Sequence, residues 1–206
     1  MNISINTQSS IKINNIYFDP FKIKEEYHDA EIIFITHSHY DHFDPSSIDN
    51  IKNDNTIIVI PNDNEILNNI NFDQEHILIV EPNKDYEINN IKFSTVPSYN
   101  TNKSFHLKEY NWVGYIINID NKKIYIMGDT DDIEEAHNVE CDYLFIPIGG
   151  TYTMNYEEAA NLTNIINPKE VFPIHYGSIV GTVEDGDNFS KLINPNIKVN
   201  LLLKKD

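Results

Sequence analysis

Apolar positions along the chain cluster in short runs separated by polar turns, the pattern of a succession of buried strands. Glu31 is followed by Ile32, Ile33, Phe34 and Ile35, an uninterrupted run of strand length with no alternation, as expected of a strand covered on both faces. Comparable runs occupy residues 56–60, closed by Pro61, and residues 76–80, 143–148 and 170–174. Residues 11–18 alternate as a strand or hairpin until Asp19 and Pro20 stop it. Residues 91–96 read as a strand that enters the polar, aromatic loop 98–106, and two further runs, 113–119 and 123–127, flank the hairpin signal Asp120, Asn121, Lys122. Helical signals are fewer. Asp44 can cap a helix with Pro45 in its first turn, and residues 62–65 begin a short one. Ala159, Leu162, Ile165 and Ile166 make an apolar face over about 155–166 that Asn167 and Pro168 end. Residues 197–203 read as a last strand. No linker or repeat interrupts the series, so one α/β domain over residues 1–206 is the expectation.

Polar residues able to bind metal stand at the ends of these strands. Directly after the 31–35 run come Thr36, His37, Ser38, His39, Tyr40, Asp41 and His42. Extended backbone points residues two apart the same way, so His37 and His39 can share one ion, while Asp41 and His42 continue into the turn and can reach a second. Asp129 and His175 also follow apolar runs directly. Sites in layered α/β folds gather at such strand ends, so His37, Asp129 and His175 can converge despite their separation in sequence.

Composition narrows the chemistry. Cys141 is the single cysteine, which excludes an internal disulfide and a thiolate cluster and leaves His and carboxylate as ligands. The net charge of −17 comes from 32 acidic against 15 basic residues, and all the basic ones are lysine. Phosphate recognition draws on positive charge and favours the arginine fork, so nucleic acid is not the expected partner. No run approaches the ~20 apolar residues of a membrane span, and the first residues carry no signal-like stretch, so the expectation is a cytoplasmic protein with no membrane partner.

Taken in order, Phe18-Asp19-Pro20, His37-Ser38-His39-Tyr40-Asp41-His42, Gly128-Asp129-Thr130 and Pro173-Ile174-His175-Tyr176-Gly177 resemble the metallo-β-lactamase-fold superfamily. With Gly149-Gly150-Thr151-Tyr152-Thr153-Met154 the chain looks most like the small bacterial and archaeal hydrolases related to ascorbate-6-phosphate lactonase. The resemblance implies a four-layer αββα sandwich with a two-metal site at the sheet edge. It also implies that His37 and His39 bind the first metal, that Asp41, His42 and His175 bind the second, and that Asp129 bridges them. The family usually places a further histidine after the strand at 91–96, where this chain has Asn100, and its nearest histidine is His106. Three readings stay open: Asn100 ligates through its amide oxygen, His106 swings in, or the first site is partly empty. Zinc is the first expectation for the two divalent ions, with manganese or iron as alternatives.

Two such ions about 3.5 to 4 Å apart lower the pKa of a shared water to about 7 and supply hydroxide. The expected function is thus hydrolysis of a small-molecule ester or lactone, with Asp41 orienting the nucleophile. His106, Tyr99 and Tyr152 are candidates for leaving-group protonation or substrate contact, Lys103 and Lys108 for attraction of an anion, and Asp19 for orienting a ligand histidine. The alternatives are a phosphodiesterase of the same fold, and a metal-binding sensor or inactive relative with an altered first site. An oxygen-reducing di-iron enzyme is disfavoured because its usual electron-donor domain is not seen here.

Overall fold

In a computed structural model of the chain, which describes residues 1–203, thirteen strands form two sheets. The first has six strands in chain order: β1 (Ile3–Ile5), β2 (Ile11–Ile13), β3 (Ile16–Phe18), β4 (Ile32–Phe34), β5 (Ile57–Pro61) and β6 (Ile77–Val80). The second has seven, running in space from β13 (Lys198–Val199) through β12 (Glu170–Ile174), β11 (Tyr143–Pro147), β10 (Lys122–Ile126), β9 (Val113–Ile119) and β8 (Ile91–Pro97) to β7 (Asp85–Ile88). β3 to β6 pair in parallel, as do β10 to β13, and the remaining pairs are antiparallel.

Alternation of side chains along each strand divides the apolar runs between layers. Ile32 and Phe34 of β4, Val59 of β5, Tyr115 and Ile117 of β9, Ile124 and Ile126 of β10, Phe145 of β11 and Phe172 of β12 meet in a core between the sheets. The opposite face of the first sheet, with Ile33, Ile35, Ile58 and Ile60, is covered by α1 (Pro45–Ile51) and α2 (Asn64–Asn69) through Ile48, Ile51 and Ile66. The opposite face of the second, with Tyr125, Met127, Leu144, Ile146 and Val171, is covered by α3 (Glu134–His137), α4 (Tyr156–Ile166) and α5 (Glu184–Leu192). Helix, sheet, sheet, helix is the four-layer order expected. It also explains why the central strands read as continuous apolar runs: both of their faces are dry.

The predicted elements are present with small differences. Residues 11–18 form a hairpin, turning at Asn14 with φ +53°. The helix at 155–166 is α4, opened by an Asn155–Glu158 capping box. The expected last strand over 197–203 shrinks to the two residues of β13, because after the Asn200 amide, which donates to the Val171 carbonyl, the chain leaves the sheet and Leu203 bridges to Ile5. β1, β7, α3 and α5 have no counterpart in the sequence reading. No helix among the described residues is long and apolar enough to cross a membrane.

Candidate metal centre

The site lies where the ends of strands from both sheets meet. The chain leaves β4 in extended form, and the imidazoles of His37 and His39 come together with Nε2 of one 3.1 Å from Nδ1 of the other. A turn follows, in which the His42 and Phe43 amides both donate to the His39 carbonyl, and this carries Asp41 and His42 inward. From the second sheet, Gly128 takes φ +68° after β10 and delivers Asp129. His175, directly after β12, itself takes φ +56°, a backbone region that non-glycine residues seldom enter. That bend brings the chain against Gly149, where a β-carbon would stand 2.2 Å from the His175 carbonyl oxygen. Only glycine fits at 149.

Hydrogen bonds fix which ring nitrogens are free. Asp19, fully buried, accepts from the Thr36 amide and hydroxyl, each at 2.7 Å, and from His42 Nδ1 at 2.8 Å. The Thr36 hydroxyl proton is therefore committed to Asp19, so at 2.9 Å it is His37 Nδ1–H that donates to Thr36 Oγ1. One carboxylate thus fixes the ring orientations of His37 and His42 through their Nδ1 atoms and turns both Nε2 atoms toward the centre. Asn100 does the same for His106. Its Nδ2 donates to the Tyr152 carbonyl at 2.9 Å, which orients the amide, and its Oδ1 accepts from the His106 backbone amide at 3.0 Å and from His106 Nδ1 at 3.1 Å.

Three sets of side chains have ligand atoms mutually within 4.8 Å: His37, His39 and His106; His37, His42 and Asp129; and Asp41, His42 and His175. Asp129 links them, with Oδ1 3.3 Å from His42 Nε2, and Oδ2 3.4 Å from His106 Nε2 and 3.1 Å from His175 Nε2. Asp41 Oδ2 lies 3.4 Å from His175 Nε2 and 3.8 Å from His42 Nε2. Nε2 of His42, His106 and His175 and Oδ1 of Asp129 are buried and yet make no hydrogen bond. Buried polar atoms are nearly always paired, and four unpaired ones converging at ligand-edge spacing fit a shared cation. The donor set of imidazole and carboxylate suits zinc, manganese or iron.

Electrostatics describe the same centre. Burial would lower the pKa of His175, but the charge of Asp129 and the contact with Asp41 outweigh it and raise it to about 9. Burial acts likewise on His42 and is outweighed by Asp129 and Asp19, which hold it well above the usual histidine range. For the carboxylates burial pushes upward and the histidines win: Asp129 sits well below its ordinary value, and Asp41 falls to about 2. His37 is driven well below the histidine range by burial and by the charge of His42. Negative carboxylates are thus ready to receive positive charge, and neutral imidazole is available at His37.

The eight residues named as candidate ligands or catalytic groups, His37, His39, Asp41, His42, Asn100, His106, Asp129 and His175, all lie here, but Asn100 is not grouped with the other donors. Both polar atoms of its side chain are spent on protein partners, and His106 stands beside His37 and His39 in its stead. Other expectations shift too. The Tyr99 hydroxyl bonds to Glu135 and Lys108, away from the centre, Lys108 is paired with Glu135, and Lys103 is paired with the buried Asp131. Cys141 is remote, its thiol pushed up to about 12 by burial. Sequence reasoning missed Trp112, the only tryptophan, whose ring packs 4.8, 5.0 and 5.6 Å from those of His37, His39 and His106. It also missed Gln8, which carries no motif and sits among small polar residues. Beside the centre opens a cavity of about 260 Å³ lined by His39, Tyr40, Asp41, Phe105, Asp129, Tyr152, His175 and Ile179. Tyr40, Tyr152, Phe105 and Ile179 form its outer wall, and among the described residues no lysine lines it.

Among known proteins, residues 9–175 match the Beta-lactamase superfamily domain. The UPF0173 metal-dependent hydrolase of Thermococcus onnurineus is 30% identical over 200 residues, covering 91% of this chain and 88% of that protein. Its namesake in Pyrococcus abyssi is 28% identical over 185 residues, covering 86% and 80%. A crystallised protein of Parabacteroides distasonis, provisionally named a metal-dependent hydrolase, superposes with a TM-score of 0.80 at 27% identity over 98% of this chain and 92% of that one.

Proposed function

The chain belongs to the beta-lactamase superfamily and is one of its metal-dependent hydrolases, and from that premise we propose that it hydrolyses a small, uncharged ester or lactone at a two-metal site. His37, His39 and His106 would hold one divalent ion, Asp41, His42 and His175 the other, and Asp129 would touch both, with zinc the first expectation and manganese or iron the alternatives. When bound, such ions act as Lewis acids and bring the pKa of water down to about 7.

The residues themselves divide the remaining work. Asp41, ionised at every pH above about 2, faces the cavity as an acceptor that can orient a water molecule. Asp19 and Asn100 keep the Nδ1 protons of His42 and His106 engaged, so that the opposite nitrogens stay free. Tyr40 and Tyr152 are the hydroxyl donors on the cavity wall available to a substrate oxygen, and Phe105, packed edge-on to Tyr152 at 4.7 Å, supplies apolar surface.

The observation that carries the substrate reading is the outer wall of this cavity of about 260 Å³: Tyr40, Phe105, Tyr152 and Ile179 make it aromatic and aliphatic, and among the described residues no lysine lines it to meet a phosphate. A phosphodiester substrate finds no support there. The sensor alternative is argued from an altered first site, and the grouping of His106 with His37 and His39 supports the hydrolase reading over it. Metal-reconstituted protein should turn over neutral lactones and aryl esters at least about tenfold faster than matched phosphodiesters, a difference of about 1.4 kcal/mol in transition-state binding. The same preparation should contain two equivalents of metal, falling in His106→Ala and in Asn100→Ala, with the larger loss in the former. Preference for phosphodiesters, or one equivalent at most in the wild-type protein, would reject the reading.

A further inference from the structure

Gln8 lies in the turn between β1 and β2, outside every motif of the chain, yet it is completely buried. Its backbone takes φ +51°, a left-handed conformation that a side chain other than glycine occupies only when its surroundings impose it. Its Nε2 lies 3.3 Å from Asp41 Oδ2 and donates to it, and its backbone carbonyl accepts the His175 amide at 3.0 Å. Its Oε1 has no hydrogen-bond partner. An apolar side chain of the same length would fill this space without burying an unpaired oxygen, so packing alone does not account for a glutamine here.

What the residue does have is contact with two members of the second ligand set, one from each sheet. Asp41 approaches from the turn after β4 and His175 from the end of β12. Gln8 engages the first through its side chain and the second through its backbone. It commits Asp41 Oδ2 to a defined direction and fixes the left-handed bend that aims the His175 ring.

We infer that the Gln8 side chain is a positioning group for the second metal ion, holding Asp41 at the angle from which it can reach that ion beside His175; the inference rests on the two-metal reading above. Partners that orient ligands in this way are worth about 10- to 100-fold in metal affinity when removed. Their effect is confined to the ion whose ligands they hold.

The test is a zinc titration of metal-free wild-type and Gln8→Met protein against a chromophoric chelator, with a parallel cobalt(II) titration read by its visible spectrum. In Gln8→Met the second equivalent of zinc should bind about 10- to 100-fold more weakly and the first unchanged, and the cobalt spectrum should differ from wild type only after the first equivalent. The thermal midpoint of the metal-free variant should match or exceed wild type, since methionine leaves no unpaired oxygen. Unchanged affinity for both equivalents overturns the role of Gln8 and leaves the two-metal site intact. Equal weakening of both, with a lowered midpoint in the metal-free protein, also overturns it and assigns Gln8 to the fold. A wild-type protein that takes up only one equivalent overturns the two-metal reading and this inference together.

Discussion

His175 shows how much of the centre is written in single residues and how much is not. Its place after an apolar run made it a candidate from sequence, but the left-handed bend that aims it, the glycine at 149 that permits the bend, and the amide of Gln8 behind Asp41 are properties of contact, without a local signature. Asn100 is the complementary case: the position was legible, its partner was not, because an amide accepting from an imidazole looks in sequence like an amide awaiting a metal. The charge state of His175 yields a pH dependence for the metal-free protein. Its pKa rises on folding from the ordinary 6.5 to about 9, so the stability it contributes is fully present below about 6.5 and is lost as pH climbs through 9. His42, also raised, acts with the same sign, whereas Asp41, lowered from 3.8 to about 2, loses its contribution only as pH falls through that range. Metal competes with these protons, so bound zinc should reverse the trend. Melting temperatures in excess chelator should fall between pH 6.5 and 9, and with saturating zinc they should rise or hold. A metal-free midpoint that climbs over the same window would contradict the pairing of His175 with Asp129.

Among the elements, those that carry the centre were the easiest to read. β4 is apolar throughout, and β10 and β12 are buried and apolar over the residues that lead into the centre, Ile124–Ile126 and Val171–Ile174, because both faces of the sheet are covered there. β7 is an edge strand with alternate residues exposed, α3 is a single turn, and α5 buries only Gly186 and Phe189, so none of them imprints a period on the sequence. Loop 98–106, which brings His106 to the site, has no regular structure and is tied down instead by charge. Lys103 reaches the buried Asp131 at 2.6 Å, and the other oxygen of Asp131 accepts the Thr101 amide at 2.9 Å. Removing the partly exposed lysine leaves a buried carboxylate oxygen without its partner, at a cost of about 1 to 3 kcal/mol. Lys103→Met should therefore lower the urea unfolding free energy by about that amount. Because the loop then holds His106 less firmly, it should also weaken the first equivalent of metal and spare the second. Loss confined to the second equivalent would mean that this loop does not serve the first site.

For the whole molecule, the sequence gives the sign of the field but not its local consequence. A charge of −17 without a single arginine disfavours anionic ligands, yet a pair of lysines in the loop could have formed a local landing site. In the fold Lys103 and Lys108 are both neutralised by carboxylates, on Asp131 and Glu135, and the cavity wall is left to Tyr40, Phe105, Tyr152 and Ile179. Among the described residues no lysine at the cavity mouth therefore offsets the long-range repulsion of an anion. Raising ionic strength from about 0.02 M to about 0.5 M shortens the Debye length several-fold and removes most of that repulsion. For a singly charged ester kcat/KM should rise about two- to fivefold across this range, entirely through KM, while that of a neutral lactone of similar size should change by less than about 1.5-fold. The neutral substrate serves as the control for effects of salt on folding or metal content, which would move both together. A fall in kcat/KM for the anion as salt is added is the signature of attractive steering, and it would mean that the bound ions or an unpaired lysine dominate the field at the cavity mouth and that the preference for uncharged substrates is wrong.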